Sequence, residues 1–228
     1  MSEFEARPPN IRANPEQWLA AIIRSGDAGL ALELVRAHPQ LVHARFSGNA
    51  TPLLVAAYSR QYEIAESLLA AGARMDFISA IALGRTGVVR TMLDQDPLLI
   101  RKRAAEGGWT ALHIGAGYAD GDLLAVLMAA GADVNGRDRK GFTPLVFATR
   151  QPYSNAEILL SNGADIDARA KHGLTALHCA AAVGNEEFVR FLVARGADAH
   201  LQTDARQTAW ALAVRGGHRT VAAILASR

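Results

Sequence analysis

The sequence predicts an all-α protein built from repeated pairs of helices that stack into a solenoid. A Thr-x-Leu motif begins four segments, at Thr51, Thr110, Thr143 and Thr175, and a fifth segment keeps the threonine at Thr208. From Thr110 onwards these threonines follow one another at intervals of 33, 32 and 33 residues. A fixed period of this length is typical of proteins whose units bury their apolar faces only by stacking on neighbours. We therefore expect an elongated helical architecture.

Each unit contains local signals for two helices. Threonine is a good N-cap, and the prolines that follow Thr51 and Thr143 fit the first helical position, where no amide partner is lost. A Gly-Ala-Asp motif, or a weaker copy of it, recurs downstream at 72–74, 131–133, 163–165 and 196–198. Its glycine is expected to end the second helix in a left-handed conformation. The residues between this motif and the next threonine should form a turn or short hairpin, which we call a finger.

The segments Thr110–His113 and Thr175–His178 resemble the Thr-Pro-Leu-His signature of the ankyrin repeat, whose period is also near 33 residues. The resemblance covers nearly the whole chain, from about Asn14 to Arg228. It implies a solenoid that binds a partner through its fingers and first helices. It also implies that His113 and His178 brace the turns between repeats by hydrogen bonds.

Two weaker repeats are located by the glycine that ends the first helix. This glycine lies nine residues after the threonine in the last two repeats, so Gly26 and Gly84 place equivalent starts at Gln17 and Met75. We expect about seven repeats, which start near residues 17, 51, 75, 110, 143, 175 and 208. They should form a single domain over residues 14–228, preceded by a flexible tail over residues 1–13.

The spacing departs from the pattern at two places. The interval from Thr51 to Met75 is 24 residues, so the finger between repeats two and three should be missing. In repeat five, Pro152 stands where a glycine ends the first helix elsewhere, and one residue is deleted from the turn. A proline fixes φ and should shorten and stiffen this turn.

The composition excludes several classes of protein. The 228 residues are 50% hydrophobic and 20% charged, a balance that is typical of folded proteins. The single cysteine, Cys179, excludes an internal disulfide and a cysteine-based metal site. The N-terminus has no secretory signal, and no apolar run is long enough to span a bilayer. We therefore expect a soluble, cytoplasmic protein without membrane contact.

No residue is assigned a catalytic or metal-binding role. The sequence contains no phosphate-binding, dinucleotide-binding or nucleophile-elbow motif, and its histidines show no metal-ligand spacing. Cys179 is interpreted as a small buried apolar thiol. We expect no cofactor and no enzymatic activity. One alternative stays open, in which the repeat groove is the pocket of an enzyme or a small-ligand-binding protein, lined by Trp109, Tyr118, Arg139 and His172.

The positions that flank the threonine and close the first helix are the contact positions of the ankyrin family. The resemblance therefore assigns partner binding to one set of residues: Tyr58, Trp109, Tyr118, Arg139, Lys140, Phe142, Arg150, Lys171, His172 and Leu174. Aromatic side chains beside basic ones are typical of binding hot spots. We expect the partner to bind across repeats four to six, where the finger spacing is undamaged.

Consecutive fingers are also basic. The cations are Arg101, Lys102, Arg103, Arg137, Arg139, Lys140 and Lys171. The net charge is only +2, so these cations favour a partner protein with an acidic segment over duplex nucleic acid, while a polyanion remains a second alternative. The last helix, over residues 220–225, has few polar residues, and weak self-association through it is expected.

Overall fold

The computed structural model describes residues 15–105, 107–149 and 153–226. Thirteen α-helices and several short 3₁₀ helices form the secondary structure of these residues. Within the same ranges, β-structure is confined to an isolated bridge between Gln202 and Thr208. The prediction of an all-α fold is therefore confirmed. The predicted tail over residues 1–13 lies outside the described residues.

The chain divides into two compact units, with the boundary between Arg85 and Thr86. The α-helices of the first unit are α1 Pro15–Ser25, α2 Ala28–Ala37, α3 Pro52–Tyr58, α4 Tyr62–Ala70 and α5 Phe77–Ala82, and its 3₁₀ helices are Pro39–His43 and Ser47–Asn49. The first helices of its repeats, α1, α3 and α5, pack in that order, and α2 packs against α4. Leu19, Ile23, Leu53 and Phe77 are buried in this packing. The expectation of one continuous domain over residues 14–228 stays a prediction.

The second unit repeats this arrangement. Its α-helices are α6 Thr86–Gln95, α7 Ala111–Tyr118, α8 Gly121–Ala129, α9 Ser154–Ser161, α10 Ala176–Val183, α11 Glu186–Ala194, α12 Ala209–Arg215 and α13 Arg219–Ala226, and its 3₁₀ helices are Pro97–Arg101, Pro144–Phe147 and Lys171–Gly173. The helix Pro144–Phe147 packs between α7 and α10, and α10 packs against α12. On the other side of the repeats α8 contacts both α6 and α9, while α11 contacts α13.

The predicted start and stop signals are confirmed in most repeats. Thr51, Thr110, Thr175 and Thr208 each accept a hydrogen bond from the backbone N–H three residues later. The glycines of the Gly-Ala-Asp motifs and of the 72–74 copy have φ between +86° and +94°. These caps are local interactions, so the same residues produce them in each repeat.

The finger between repeats two and three is missing, as the spacing predicts. Helix α4 ends at Ala70 and α5 begins at Phe77, whereas residues 130–143 separate α8 from the helix that begins at Pro144. The predicted start at Met75 is one residue too early. Asp76 is the N-cap of α5, because its carboxylate accepts the N–H of Ser79 at 2.8 Å and the Ser79 hydroxyl accepts the N–H of Asp76 at 2.9 Å.

Repeat one is predicted to start near Gln17, and in the structure α1 begins at Pro15, so Gln17 lies inside the helix. A second difference concerns the first helix of repeat five. Only one 3₁₀ turn, Pro144–Phe147, forms there, and the Thr143 side chain makes no cap hydrogen bond. The turn around Pro152 lies outside the described residues. Helix α9 then begins after Tyr153, whose φ of +63° is left-handed.

Candidate functional site

The fingers of the second unit close on themselves in the same way. In three successive fingers the backbone N–H of one residue donates to the carbonyl four residues later: Asp138 to Phe142, Ala170 to Leu174, and Thr203 to Gln207. The residue after the acceptor is then the threonine of the next repeat. The residue before each of these threonines therefore occupies an equivalent position in its repeat.

Adjacent fingers are joined by backbone hydrogen bonds near their tips. The N–H of Arg139 donates to the Gly107 carbonyl at 2.9 Å, and the N–H of Lys171 donates to the Lys140 carbonyl at 2.9 Å. The N–H of Asp204 donates to the His172 carbonyl at 2.9 Å and continues the row. The fingers of repeats four to seven are thus one connected array rather than separate loops.

Three arginines reinforce this array from one finger to the next. Arg103 donates to the Arg137 carbonyl, Arg137 donates to the Arg169 carbonyl, and Arg169 donates to the Gln202 carbonyl, with N···O distances of 2.6, 2.6 and 2.9 Å. Sequence reasoning counted Arg103 and Arg137 among the cations of a basic binding edge. The structure adds a second role, because both guanidinium groups also hold neighbouring fingers together while they keep their positive charge.

The signature histidines also join each repeat to the next finger. His113 Nδ1 accepts the N–H of Thr110, and its Nε2 lies 2.9 Å from the Phe142 carbonyl. His178 makes the equivalent contacts with Thr175 and with the Gln207 carbonyl, the latter at 3.2 Å. Burial lowers the pKa of both histidines below 6.5, against the opposing effect of their backbone hydrogen bonds. A neutral imidazole with its proton on Nε2 fits these partners, so the bracing role implied for the two histidines is confirmed.

Repeat five lacks this brace. Val146 occupies the position of the histidine and cannot donate to the next finger. In the described structure, the Leu174 carbonyl accepts only the N–H of Ala170. A valine there also cannot complete a capping box with Thr143, in agreement with the single 3₁₀ turn that follows.

A pocket of about 480 Å³ lies between the fingers of repeats four and five and the first helices of repeats five and six. Its lining residues are Gly107, Trp109, Asp138, Lys140, Phe142, Val146, Phe147 and Cys179. The ring of Phe147 stands edge-on to Trp109, with centroids 5.3 Å apart, and to His113, with centroids 5.1 Å apart. These contacts hold the aromatic wall in one arrangement.

The backbone of Gly107 makes room for the indole of Trp109. Gly107 has φ of +69°, and an added Cβ would approach Trp109 Nε1 to 2.6 Å. Any other residue at this position would be strained and would also collide with the indole. The wall of the pocket therefore depends on Gly107, which belongs to no motif recognised in the sequence.

The charged groups around the pocket differ in burial and in hydrogen bonding. Asp138 is buried, and its carboxylate accepts the N–H groups of Lys140 and Phe142 at 2.8 and 2.9 Å. The side chains of Arg139, Lys140 and Lys171 are exposed, and within the described ranges none of them forms an ion pair. The rim of the pocket is therefore cationic, while its one carboxylate is already hydrogen-bonded.

Cys179 differs in part from its expected state. Its side chain is only partly buried and lines the pocket, whereas the sequence suggested a residue of the core. Burial nevertheless raises the pKa of the thiol from 9.0 to about 11. The thiol is thus protonated near neutral pH and serves as an apolar surface, not as a nucleophile.

The structure brings together only some of the residues that the resemblance assigns to binding. Trp109, Lys140 and Phe142 line the pocket, and Arg139 adjoins it between Asp138 and Lys140. Lys171 lies on the next finger, where its N–H bonds to the Lys140 carbonyl. The other residues of the set lie elsewhere: His172 is exposed, Leu174 is half-buried in the next finger, Tyr118 ends α7, Tyr58 belongs to the first unit, and Arg150 is outside the described residues.

Sequence reasoning missed Val146, Phe147 and Cys179. The loss of the signature histidine at Val146 was a signal that could have located the pocket.

The described part of the chain contains no group of three or more His, Cys, Asp or Glu residues that could hold a metal ion. No helix among the described residues is both long enough and apolar enough to cross a bilayer.

Comparisons with known proteins find one family. A family model described as ankyrin repeats in three copies matches residues 77–170 and 156–228. The transient receptor potential cation channel subfamily A member 1 homolog of Caenorhabditis elegans is 30% identical over 139 residues, which are 61% of this chain and 11% of that protein. The nuclear factor NF-kappa-B p105 subunit of Gallus gallus is 30% identical over 166 residues, 67% of this chain and 17% of that protein.

A third relative is the putative palmitoyltransferase ZDHHC13 of Danio rerio, which is 29% identical over 181 residues, 72% of this chain and 27% of that protein. The chain thus spans less than a third of the length of each of these three relatives.

Proposed function

Because the chain belongs to the ankyrin-repeat family, whose repeats are in general non-catalytic modules for protein–protein interaction, we propose that it binds a partner protein through repeats four to six. The observation that carries this proposal is the pocket in which Trp109, Lys140 and Phe142 lie together. Sequence position alone assigned all three to binding. We further propose that the protein acts in the cytoplasm, where its free thiol stays reduced.

The connected fingers support a binding role on energetic grounds. Ordering loops at an interface costs free energy that is subtracted from the affinity. Here backbone bonds between neighbouring fingers and the arginines Arg103, Arg137 and Arg169 already order the loops. A partner that docks on them therefore loses little affinity to loop ordering.

The test is capture of partner proteins from the source cell, followed by affinity measurements on variants. Replacing Trp109 and Phe142 with alanine should weaken binding by about 2 kcal/mol or more if the two rings are anchors. The matched control replaces two exposed apolar residues elsewhere, Tyr62 and Leu98, with alanine. Unchanged affinity in the first variant, or a loss that only follows a lower melting temperature, would place the site elsewhere.

Binding to a polyanion is the alternative that the cationic fingers favour. Neutralising phosphates releases counterions, so the affinity of a polyanion complex falls steeply as salt rises. Replacing Arg139 and Lys140 with glutamate should mainly slow association with an acidic protein. A salt dependence as steep as that of phosphate binding would support the polyanion instead.

We also propose weak self-association at the C-terminal end, but through helix α12 rather than through the last helix, α13. Val221 and Leu225 of α13 are buried, whereas Trp210 and Val214 of α12 are 45% and 51% exposed. Their counterparts in repeat six, Leu177 and Ala181, are buried. Replacing Trp210 with serine should therefore reduce self-association in sedimentation experiments more than replacing Ile224.

A further inference from the structure

We infer that the pocket beside Val146 receives one apolar anchor side chain from a short peptide segment of the partner, and that acidic residues flank this anchor. The inference rests on the proposed function and names the chemistry of the partner at that site. It is carried by three properties of the pocket: its position and size, its lining and the charge of its rim.

The pocket lies where two neighbouring fingers meet the first helices of repeats five and six. Gly107 and Trp109 belong to one finger, and Asp138, Lys140 and Phe142 belong to the next. The first helices contribute Val146, Phe147 and Cys179. The volume of about 480 Å³ is within the range of small binding pockets and holds one large side chain with adjoining backbone.

The lining favours an apolar occupant. Trp109, Phe142, Phe147 and Val146 supply aromatic and aliphatic surface, and Cys179 supplies a neutral thiol. The carboxylate of Asp138 is committed to two backbone N–H groups. A polar group that entered would lose its water without gaining a comparable partner, which costs free energy.

The rim favours acidic neighbours of that anchor. Among the residues that the structure describes, Arg139, Lys140 and Lys171 form no ion pairs. The Lys171 N–H bond to the Lys140 carbonyl keeps two of these residues on adjacent tips. Arg139 lies over the backbone of Gly108, where an added Cβ would come within 2.7 Å of its Cγ. Charges of one sign around an apolar pocket select a segment of the opposite sign and exclude one of the same sign.

The probe is a fluorescein-labelled short peptide with one phenylalanine at its centre and aspartates on both sides. Its comparison peptides have alanine, leucine or tryptophan at the centre, or lysines as flanks, and a single-stranded oligothymidine of similar length serves as the polyanion. Binding to the full chain is measured by fluorescence anisotropy. The acidic peptides with an apolar centre should bind at least about tenfold more tightly than the alanine-centred or lysine-flanked ones.

Two variants with matched controls tie this preference to the pocket. Cys179→Leu fills the pocket from α10 and should weaken binding of the phenylalanine peptide about tenfold, whereas Val183→Ala, on the exposed end of the same helix, should not. Lys140→Glu should weaken binding of the acidic peptides, whereas Arg219→Glu, which makes the same change in net charge on α13, should not. Because Lys140 is exposed, the Lys140→Glu variant is expected to fold even if the Cys179→Leu variant does not.

The outcomes separate this inference from the proposed function. Equal binding of the phenylalanine and alanine peptides, or no binding of any acidic peptide, overturns the inference. If Trp109→Ala with Phe142→Ala still abolishes capture of the cellular partner in that case, the proposed function stands without it. Tighter binding of oligothymidine than of every peptide overturns the inference as well and assigns the cationic rim to a polyanion.

Discussion

Repeats five and six have the same period but differ in how their first helix is held. In repeat six, Thr175 and His178 form a capping box, and α10 continues for eight residues. In repeat five, Val146 replaces the histidine and a single 3₁₀ turn follows Thr143. Repeat four, with Thr110 and His113, behaves like repeat six. Repeats two and seven have Leu54 and Ala211 at the histidine position and still form seven-residue first helices, so the histidine is not required for the helix itself. The comparison teaches that the histidine ties the first helix to the next finger, a contact that Val146 cannot make.

The largest expected effect is on stability. Replacing His178 with alanine should lower the free energy of unfolding by about 3 kcal/mol, because it leaves buried polar groups without partners and creates a cavity. The equivalent change in repeat five, Val146→Ala, should cost about 1 kcal/mol or less, since Val146 is half-exposed and makes no hydrogen bond through its side chain. Urea denaturation of both variants measures the difference. Equal losses would show that the histidine is not what distinguishes the repeats.

The second effect is on the reactivity of Cys179, which holds the position of Phe147 in the next repeat. Burial raises the pKa of this thiol to about 11, and only the thiolate reacts with iodoacetamide. Near pH 8 alkylation should be roughly 100-fold slower than for an exposed thiol, as expected for a pKa higher by about two units. The rate should keep rising above pH 9, and urea should restore the ordinary rate. A plateau below pH 9 would contradict the assignment.

The third effect is on the pH dependence of stability. Burial depresses the folded-state pKa of His113 and His178, so below about pH 6.5 the unfolded chain binds protons that the folded chain does not. Stability should be complete above this pH and should fall as pH falls, by at most about 1.4 kcal/mol per histidine and pH unit. Melting curves between pH 7.5 and 5.5 test this. The double variant His113→Gln with His178→Gln should show a weaker dependence, and an identical one would refute the assignment.

A smaller effect separates the two threonine caps. Valine keeps the volume of threonine but removes its hydroxyl, so Thr175→Val should cost about 1 kcal/mol through the lost cap. Thr143→Val should cost only a few tenths of a kcal/mol, because the Thr143 side chain makes no cap hydrogen bond. The midpoints of chemical denaturation give both values. A larger loss at Thr143 would mean that its hydroxyl has a different partner in solution.

The smallest effect is a gain, and it tests the comparison in the opposite direction. Val146→His restores the signature of repeat five and should allow the imidazole to donate to the Leu174 carbonyl. One added hydrogen bond and a better cap should stabilise the fold by about 0.5–1 kcal/mol. Melting temperature and urea denaturation measure the gain. No stabilisation would show that the missing hydrogen bond to the Leu174 carbonyl is not what distinguishes repeat five.

The sequence alone determines the features that depend on short-range interactions. The caps at Thr51, Thr110, Thr175 and Thr208 join residues three apart, and the left-handed glycines need only their own lack of a side chain. The all-α class and the missing finger follow from the same local signals. The proposed binding positions Trp109, Lys140 and Phe142 were assigned because they stand at fixed offsets from these threonines.

Only the tertiary structure decides what happens between repeats. The bonds from Arg103 to the Arg137 carbonyl and from Arg137 to the Arg169 carbonyl join residues more than 30 positions apart, so both arginines read in the sequence as free surface charge. Likewise, the pocket depends on Trp109, Phe147 and Cys179, which come from three successive repeats and meet only when these repeats stack. Repeat periodicity predicts which positions face a neighbour, but the shape left between two neighbours depends on side chains from both of them.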